Sequence, residues 1–368
     1  MGKFDRRTSF RRVIKMLSTL SSNAILSKAR AMYGRRLTKQ NYRELLACQS
    51  VGEIANYLKT RTAYSKALAG IDENSVHRGQ LESKLKQKLF EDYASLCRYE
   101  ISVGEHFSRY LITRSEIEQI LHSILLLEAG TPEDYLFSLP MYLTRHTHIN
   151  LTALSQIRSY DDLLGALSHT PYQKLLEGFR PIEGIPINYT GIENALYTYL
   201  YNGVFEVIDR YTRGETAKQL REMFNSYIDL VNYARIIRLK VSYNAGPDFI
   251  RSSLLPFGSI NKRILNEMIE AESADKVTEV MERTSIGKHF LKIEHSYAGE
   301  ISSRVKYITC RHDIHFSTHP SVVMISYTFI MQAELTDIIT IVEGIRYKLP
   351  PEEIAKFLIV FNFSERSE

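Results

Sequence analysis

The sequence predicts an all-α protein made of three similar helical domains, and three observations support this prediction. Long stretches carry apolar residues at helical spacing along most of the chain. Strand signals are almost absent, because no run of alternating β-branched residues is bounded by tight turns. One helical pattern occurs three times at intervals of about 110 residues, and internal repeats of this kind decide the architecture of a protein.

The repeated pattern is clearest between Asp229 and Lys240. An acid is followed three residues later by an amide, and apolar residues occupy the next helical positions, so that all five side chains share one face. An upstream copy begins at Glu116 and a downstream copy at Glu334. The three sets are Asp229, Asn232, Tyr233, Ile236 and Ile237; Glu116, Gln119, Ile120, Ser123 and Ile124; and Glu334, Asp337, Ile338, Ile341 and Val342. We call these sets the signature.

A group of short helices precedes each signature. Thr38 and Ser50 are predicted N-caps, and Ser50 has a glutamate at the capping-box spacing. A threonine recurs in each group, roughly 50 to 60 residues before the signature acid, and this second marker supports the repeat. The three threonines are Thr62, Thr170 and Thr284.

These markers divide the chain into a basic N-terminal segment and three repeats. The segments are 1–24, 25–130, 131–245 and 246–368. Each repeat is expected to contain short helices and then a pair of long helices, the second of which carries the signature. The predicted long helices are Arg78–Tyr99, Val103–Ala129, Tyr189–Arg213, Glu215–Tyr243, His295–Ile308 and Pro320–Tyr347. Three such units on one chain are typical of a pseudo-threefold or solenoid arrangement.

The composition is that of an ordinary protein with a substantial core. Hydrophobic residues make up 44% of the chain, and the net charge is +5. Three widely separated cysteines favour a reducing compartment over a disulfide framework. Neither a spanning stretch of about 20 apolar residues nor a secretory signal is predicted. Nucleic-acid binding is not predicted either, because the tyrosines do not interleave with a basic stripe.

No motif for catalysis or cofactor binding is present in the sequence. A phosphate-binding loop, a nucleophile elbow and a zinc-binding His-Glu-x-x-His helix are all missing. The signature acids Glu116, Asp229 and Glu334 lie among apolar neighbours, where the pKa of a carboxyl group rises. One acid per repeat is nevertheless a structural recurrence, so we expect these residues and Gln119, Asn232 and Asp337 to hydrogen-bond one helix to another.

Two clusters leave alternatives open. Cys310, His312, His315 and His319 could hold zinc and support a metal-dependent enzyme, but their spacing fits no established zinc pattern. We therefore expect a polar loop between helices there and no bound metal. Arg235, Arg238 and Lys240 make the end of the middle signature helix basic. They form either a solvated helix terminus or a docking surface for an acidic partner.

Several ordered stretches resemble the C/d subunit of V-type and A-type rotary ATPases. The resemblance extends from about residue 25 to about residue 358. The basic N-terminal segment and the stretch Cys310–His319 depart from the family, which suggests no role for them. The similar stretches are Arg30–Leu46, Ser50–Glu53, Thr62–Tyr64, Asp229–Lys240, Leu255–Gly258, Glu334–Gly344 and Leu349–Ile354.

The resemblance implies a non-catalytic central-stalk subunit without a cofactor. Its three domains would form a funnel, with one face on the membrane proteolipid ring and the other receiving the central shaft subunits. A protein of this kind links ATP turnover to H⁺ or Na⁺ transport and lies on the cytoplasmic face of a membrane, attached through its partners. A helical scaffold or adaptor unrelated to rotary ATPases is the alternative.

Overall fold

The structure is a computed structural model that describes residues 23–99, 104–144, 146–182, 184–288 and 298–363. Within these ranges the regular structure is helical and contains no β-strand, which confirms the all-α prediction. The predicted basic N-terminal segment lies outside the described residues, apart from residues 23 and 24.

The helices are numbered in chain order. They are α1 (23–33), α2 (Lys39–Ala47), α3 (Val51–Arg61), α4 (Arg78–Cys97), α5 (Gly104–Glu128), α6 (Leu151–Leu154), α7 (Tyr160–Ala166), α8 (Pro171–Glu177), α9 (Tyr189–Tyr211), α10 (Gly214–Tyr243), α11 (Pro247–Ser253), α12 (Lys262–Glu270), α13 (Ala274–Glu282), α14 (Ala298–Phe316), α15 (Pro320–Arg346), α16 (Pro351–Lys356) and α17 (Ile359–Phe363), with a 3₁₀ helix at Pro132–Ser138.

Side-chain caps explain where many of the short helices begin. The Thr38 hydroxyl accepts a hydrogen bond from the N–H of Asn41, and the Asn41 side chain accepts one from the N–H of Thr38, so α2 starts with a capping box. Ser50 caps α3 by accepting from the N–H of Glu53. Polar residues with the same role precede other short helices; they are Asn150, Ser159, Asn261 and Ser273.

The long helices agree with the predicted bounds except at α14. The sequence predicts that this helix ends near Ile308 and that Cys310–His319 is a loop, whereas α14 continues to Phe316. The loop prediction is therefore wrong for most of the stretch. The helix continues because Cys310 and Ile314, four residues apart on one face, are both fully buried.

The chain forms two compact units, and the first contains both ends of the described chain. It draws on Met1–Ser108, Val207–Leu220 and Lys306–Glu368. Its central element is α15, which packs against α2, α3 and α4 and also against α16 and α17. Every residue of α15 from Ser321 to Met331 is buried. Burial of this apolar helix on all sides supplies the hydrophobic core of the unit.

Among the described residues, one helix has the length and apolar character to cross a membrane. This helix is α15, and most of its side chains are buried inside the protein. A core helix of a globular protein can be equally long and apolar, because it is buried on all sides by the rest of the protein.

The second unit consists of Arg109–Glu206 and Arg221–Val305. Its short helices pack in succession, with α7 against α6 and α8, and α12 against α11 and α13. The Tyr110 ring of α5 contacts the Phe224 ring of α10 edge-on, with 5.6 Å between the centroids. The division into three repeats, and their pseudo-threefold, funnel-like arrangement, stay predictions.

Candidate functional site

The signature residues lie on three helices, α5, α10 and α15, and almost all of them are buried. Only Gln119 and Ile237 are partly exposed. Each signature acid is nearly inaccessible to solvent. A carboxylate without water must find hydrogen-bond donors inside the protein, because burial of an unsatisfied charge is very costly. The groups that donate hydrogen bonds to each carboxylate therefore show which parts of the chain it holds together.

Glu334 on α15 holds the segment between α1 and α2. Its Oε2 atom accepts a hydrogen bond from the main-chain N–H of Leu37, with 2.8 Å between the heavy atoms. Its Oε1 atom accepts from the Tyr64 hydroxyl at 2.8 Å. Both contacts are buried, so the carboxylate connects α15 to the loop before α2 and to the segment after α3.

Glu116 on α5 makes the same kind of contact with the loop before α6 and with α8. Its Oε1 atom accepts from the main-chain N–H of His148 and the hydroxyl of Thr147, and its Oε2 atom accepts from the Tyr172 hydroxyl at 2.6 Å. Tyr172 and Tyr64 each lie two residues after a marker threonine. The sequence analysis used the threonines only as repeat markers and assigned no contact to these two tyrosines.

Asp229 on α10 holds the loop between α11 and α12, with a different set of donors. Its Oδ2 atom accepts from both the N–H and the hydroxyl of Ser259, at 2.8 and 2.6 Å. The tyrosine position is occupied here by Ile286, so the serine hydroxyl replaces the phenol as a donor. Gly258 has a φ of +123°, and a Cβ atom there would collide with the Asp229 carboxylate. The close approach of backbone and carboxylate therefore requires glycine.

The residue three positions after each acid binds a second segment. Gln119 accepts a hydrogen bond from the Tyr135 hydroxyl. The Asn232 amide both accepts from the N–H and donates to the carbonyl of Leu255. Asp337 accepts from three consecutive main-chain N–H groups at the start of α17, those of Ile359, Val360 and Phe361. The sequence predicts bonds between helices, whereas most of the observed bonds join a signature helix to main-chain groups of another segment.

Burial changes the titration of three of these acids. Desolvation raises the pKa of Asp229 and of Glu334, although hydrogen bonds to the ionised forms act in the opposite direction. The pKa of Asp337 is raised to about 7, first by desolvation and also by the nearby charge of Glu334. The donors are fixed by the fold, and the side chains of Asp229, Glu334 and Asp337 are almost completely buried.

The contacts follow the order of the three repeats that the sequence predicts. Glu116 holds the loop that precedes α6, and Asp229 holds the loop between α11 and α12. Glu334 holds the loop that precedes α2. If the chain is divided into the predicted repeats, each signature acid thus binds a loop of another repeat, in the order one to two, two to three and three to one. The arrangement acts as a set of structural clamps.

The three cations at the end of the middle signature helix differ in exposure. The Arg235 side chain is 4% exposed, and its guanidinium donates to Glu193 at 2.8 Å and to the carbonyl of Ser253. Lys240 donates to the carbonyls of Ile269 and Ala271, at the end of α12. These two cations stabilise the fold internally. The Arg238 side chain is 53% exposed, so it is the accessible member of the set.

The four residues from Cys310 to His319 do not converge. Cys310 is buried in the core, whereas the His312 ring is exposed and contacts Asp313. His315 packs on Tyr33, and His319 precedes α15. No group of three or more His, Cys, Asp or Glu side chains suited to a metal ion occurs in the described part of the chain.

A cavity of about 290 Å³ lies beside the C-terminal end of α15. Its one acidic side chain, Glu343, is paired with Arg78 and Arg346. The lining is otherwise apolar or neutral and does not contain a pair of groups suited to acid–base catalysis. The lining residues are Thr336, Ile339, Thr340, Glu343, Gly344, Tyr347, Leu349, Ile354 and Phe357.

Comparison with known proteins yields one consistent result. The sequence model of a family described as ATP synthase (C/AC39) subunit matches residues 25–357. The C subunit of the A-type ATP synthase of Pyrococcus furiosus is 22% identical over 340 residues, which cover 90% of this chain and 88% of that protein. The C subunit of the A-type ATP synthase of Methanosarcina mazei is 27% identical over 267 residues, covering 70% of this chain and 69% of that protein.

Proposed function

This chain belongs to the ATP synthase (C/AC39) subunit family, and on that premise we propose that it is a non-catalytic central-stalk subunit of a V/A-type ATPase. In this role it couples the rotor shaft to the membrane proteolipid ring during H⁺ or Na⁺ transport. The observation that carries the proposal is the family match over nearly the whole chain. The names of the relatives, each a C subunit of an A-type ATP synthase, support it.

The structural support comes from the signature acids. A catalytic carboxylate must reach a substrate, but Glu116, Asp229 and Glu334 are buried and bound to donors of the protein itself. A protein that transmits torque instead needs a body that resists deformation, and packed helices fixed by buried hydrogen bonds provide one.

We further propose that the repeats 25–130, 131–245 and 246–368 form three similar domains related by a pseudo-threefold axis, as in a funnel. The cyclic order of the clamps supports this proposal, because the last signature helix holds the short helices of the first repeat. The protein would lie on the cytoplasmic face of the membrane, peripheral to it, with the proteolipid ring and the central shaft subunits as partners.

Affinity purification from native membranes tests the proposal. A tagged chain is expected to retain both proteolipid-ring and shaft subunits after mild detergent extraction. Membranes that lack this chain are expected to hydrolyse ATP without the matching ion transport, because the shaft and the ring are no longer connected. Recovery of neither partner would overturn the proposal and favour a scaffold outside rotary ATPases.

A further inference from the structure

The net charge of the chain is concentrated at its N-terminal end. Residues 1–22 contain six of the 47 lysines and arginines but only one of the 42 aspartates and glutamates. The rest of the chain therefore has 41 charged groups of each sign, so the whole net charge of +5 belongs to this segment. The segment lies outside the described residues and precedes the family match, which begins at residue 25. A local excess of cations attracts anionic partners. The six cations are Lys3, Arg6, Arg7, Arg11, Arg12 and Lys15.

The same segment has the sequence pattern of an amphipathic helix. At about 100° per residue, all large apolar residues between positions 8 and 20 fall within an arc of roughly 160°. Polar residues, three of them cationic, occupy the opposite side, and Ser9 alone interrupts the apolar arc. Cations on one face and Phe or Leu on the other are typical of helices that lie at a membrane surface. The apolar residues are Phe10, Val13, Ile14, Met16, Leu17 and Leu20, and the opposite polar residues are Thr8, Arg11, Arg12, Lys15, Ser18 and Thr19.

This apolar face does not continue the buried face of α1. The described part of α1 begins at residue 23, and its buried hydrophobic side chains are Ile25, Ala29 and Tyr33. Counted back in helical steps of three and four residues, that face meets the polar residues at positions 22, 18, 15 and 11. In this register the apolar residues lie on the other side of the helix, away from the surface that α1 covers. The apolar face therefore needs an apolar partner of its own.

We propose that residues 8–20 form an amphipathic helix on an anionic membrane surface, with the apolar face among the acyl chains and the cations on lipid phosphates. Charge complementarity favours this partner, because segments that bind anionic lipid usually carry about 4–8 cations on or beside an amphipathic helix, and this segment carries six. The apolar face adds burial that a purely basic segment lacks. The inference goes beyond the proposed function, which attaches the protein to the membrane only through its partners.

Flotation of the purified full chain with lipid vesicles tests the proposal. The chain is expected to float with vesicles of phosphatidylserine and phosphatidylcholine, and this binding should weaken as the salt concentration rises. Vesicles of phosphatidylcholine alone should bind much less protein, because the cations find no anionic surface there. Equal binding to both kinds of vesicle, or binding to neither, would overturn the proposal.

Two substitutions distinguish the apolar face from the charge. Leu17→Asp and Thr19→Asp each add one negative charge, but Leu17 belongs to the apolar face and Thr19 to the polar face. The added charge is expected to weaken vesicle binding about fivefold in both variants. Leu17→Asp should weaken binding about a further tenfold, because the acyl chains lose contact with a leucine side chain. Equal weakening by the two variants would contradict the amphipathic helix.

Thermal melting and affinity purification provide the competing outcomes. Without vesicles, both variants are expected to melt as the wild type does. A lower melting temperature for Leu17→Asp alone would show that the apolar face packs on the protein itself, and the proposal would be wrong. It would also be wrong if Leu17→Asp kept its vesicle binding but lost ring or shaft subunits from native membranes, since the segment would then contact a protein. Vesicles contain no ATPase subunit, so their binding is independent of the proposed function.

Discussion

The Glu334 carboxylate accepts a hydrogen bond from the main-chain N–H of Leu37, although 297 residues separate the two in the sequence. The same carboxylate accepts from Tyr64. One buried side chain thereby joins the last long helix to the loop that starts the first group of short helices. Since α15 is the core of its unit, this contact connects both ends of the described chain to one central element.

Replacing Glu334 by alanine is expected to lower the free energy of unfolding by about 3 kcal/mol, because two buried donors lose their acceptor. Urea denaturation of the purified chain measures the change. Glu343→Ala is the control on the same helix, since Glu343 is partly exposed and forms surface ion pairs worth about 1 kcal/mol or less. Equal losses from both substitutions would show that Glu334 is not a clamp.

Substitution of Asp229 is expected to weaken assembly of the complex because it destabilises the chain itself. Asp229→Ala is expected to lower the melting temperature of the isolated chain, because Ser259 and Ile260 lose their acceptor. Weaker incorporation into the rotor should accompany this loss. If incorporation fails while the isolated chain keeps its full thermal stability, Asp229 is a partner contact and its assignment as a clamp is mistaken.

Gly258→Ala tests the close approach of the Gly258 backbone to the Asp229 carboxylate. The substitution places a methyl group against the Asp229 carboxylate at a φ of +123°, so we expect destabilisation by about 2 kcal/mol or more. Gly203→Ala in α9 is the matched control: a Cβ atom there meets nothing within 4 Å, and alanine favours the helix. Differential scanning calorimetry of both variants should give shifts of opposite sign; a stable Gly258→Ala protein would contradict the geometry.

The raised pKa of Asp337 predicts a particular pH dependence. An aspartate of the unfolded chain titrates near 3.9, whereas Asp337 in the fold has a pKa of about 7. Between these values the folded state binds a proton that the unfolded state lacks, so the free energy of unfolding falls as pH rises, by at most about 1.4 kcal/mol per pH unit. The contribution is complete below the unfolded pKa and is lost as pH passes the folded pKa.

Asp337→Asn is the variant that isolates this titration. It removes the proton exchange but keeps an acceptor for the N–H groups of α17. Urea denaturation between pH 4 and pH 8 should therefore show that the free energy of unfolding of the wild type, relative to that of Asp337→Asn, falls as pH rises. The raised pKa of Glu334 acts in the same direction and remains in both proteins. A difference that does not vary with pH would contradict the assignment.

Substitutions of Arg235 and Arg238 distinguish a role in folding from a role in partner binding. Arg235→Ala is expected to destabilise the chain by about 2 kcal/mol, because the poorly exposed Glu193 loses its main ion-pair partner. Arg238→Ala should leave the thermal stability nearly unchanged, since this side chain is mostly in solvent. If Arg238 contacts a rotor partner, the second variant alone will bind native rotor subunits more weakly while melting as wild type. Equal melting of the two variants would rule out the internal role of Arg235.

Much of the local structure could be predicted because its causes lie close together in the sequence. The caps at Thr38 and Ser50 depend on residues three positions away, and the signature faces depend on helical periodicity. The end of α14 could not be predicted in this way. His312 and His315 make that stretch look like a polar loop, but the burial of Cys310 and Ile314 keeps it helical.

The sequence by itself determined that this protein is helical and that the chain resembles its family. It also determined that one pattern recurs three times, in which an acid is followed three residues later by an amide or a second acid. Helical periodicity and spacing are properties of the chain alone. Only the tertiary structure decided the partners of the acids. Glu334 binds Leu37 and Arg235 binds Glu193 because folding brings together groups that the sequence separates, and a buried charge must take whatever donors or counter-charges the packed fold provides.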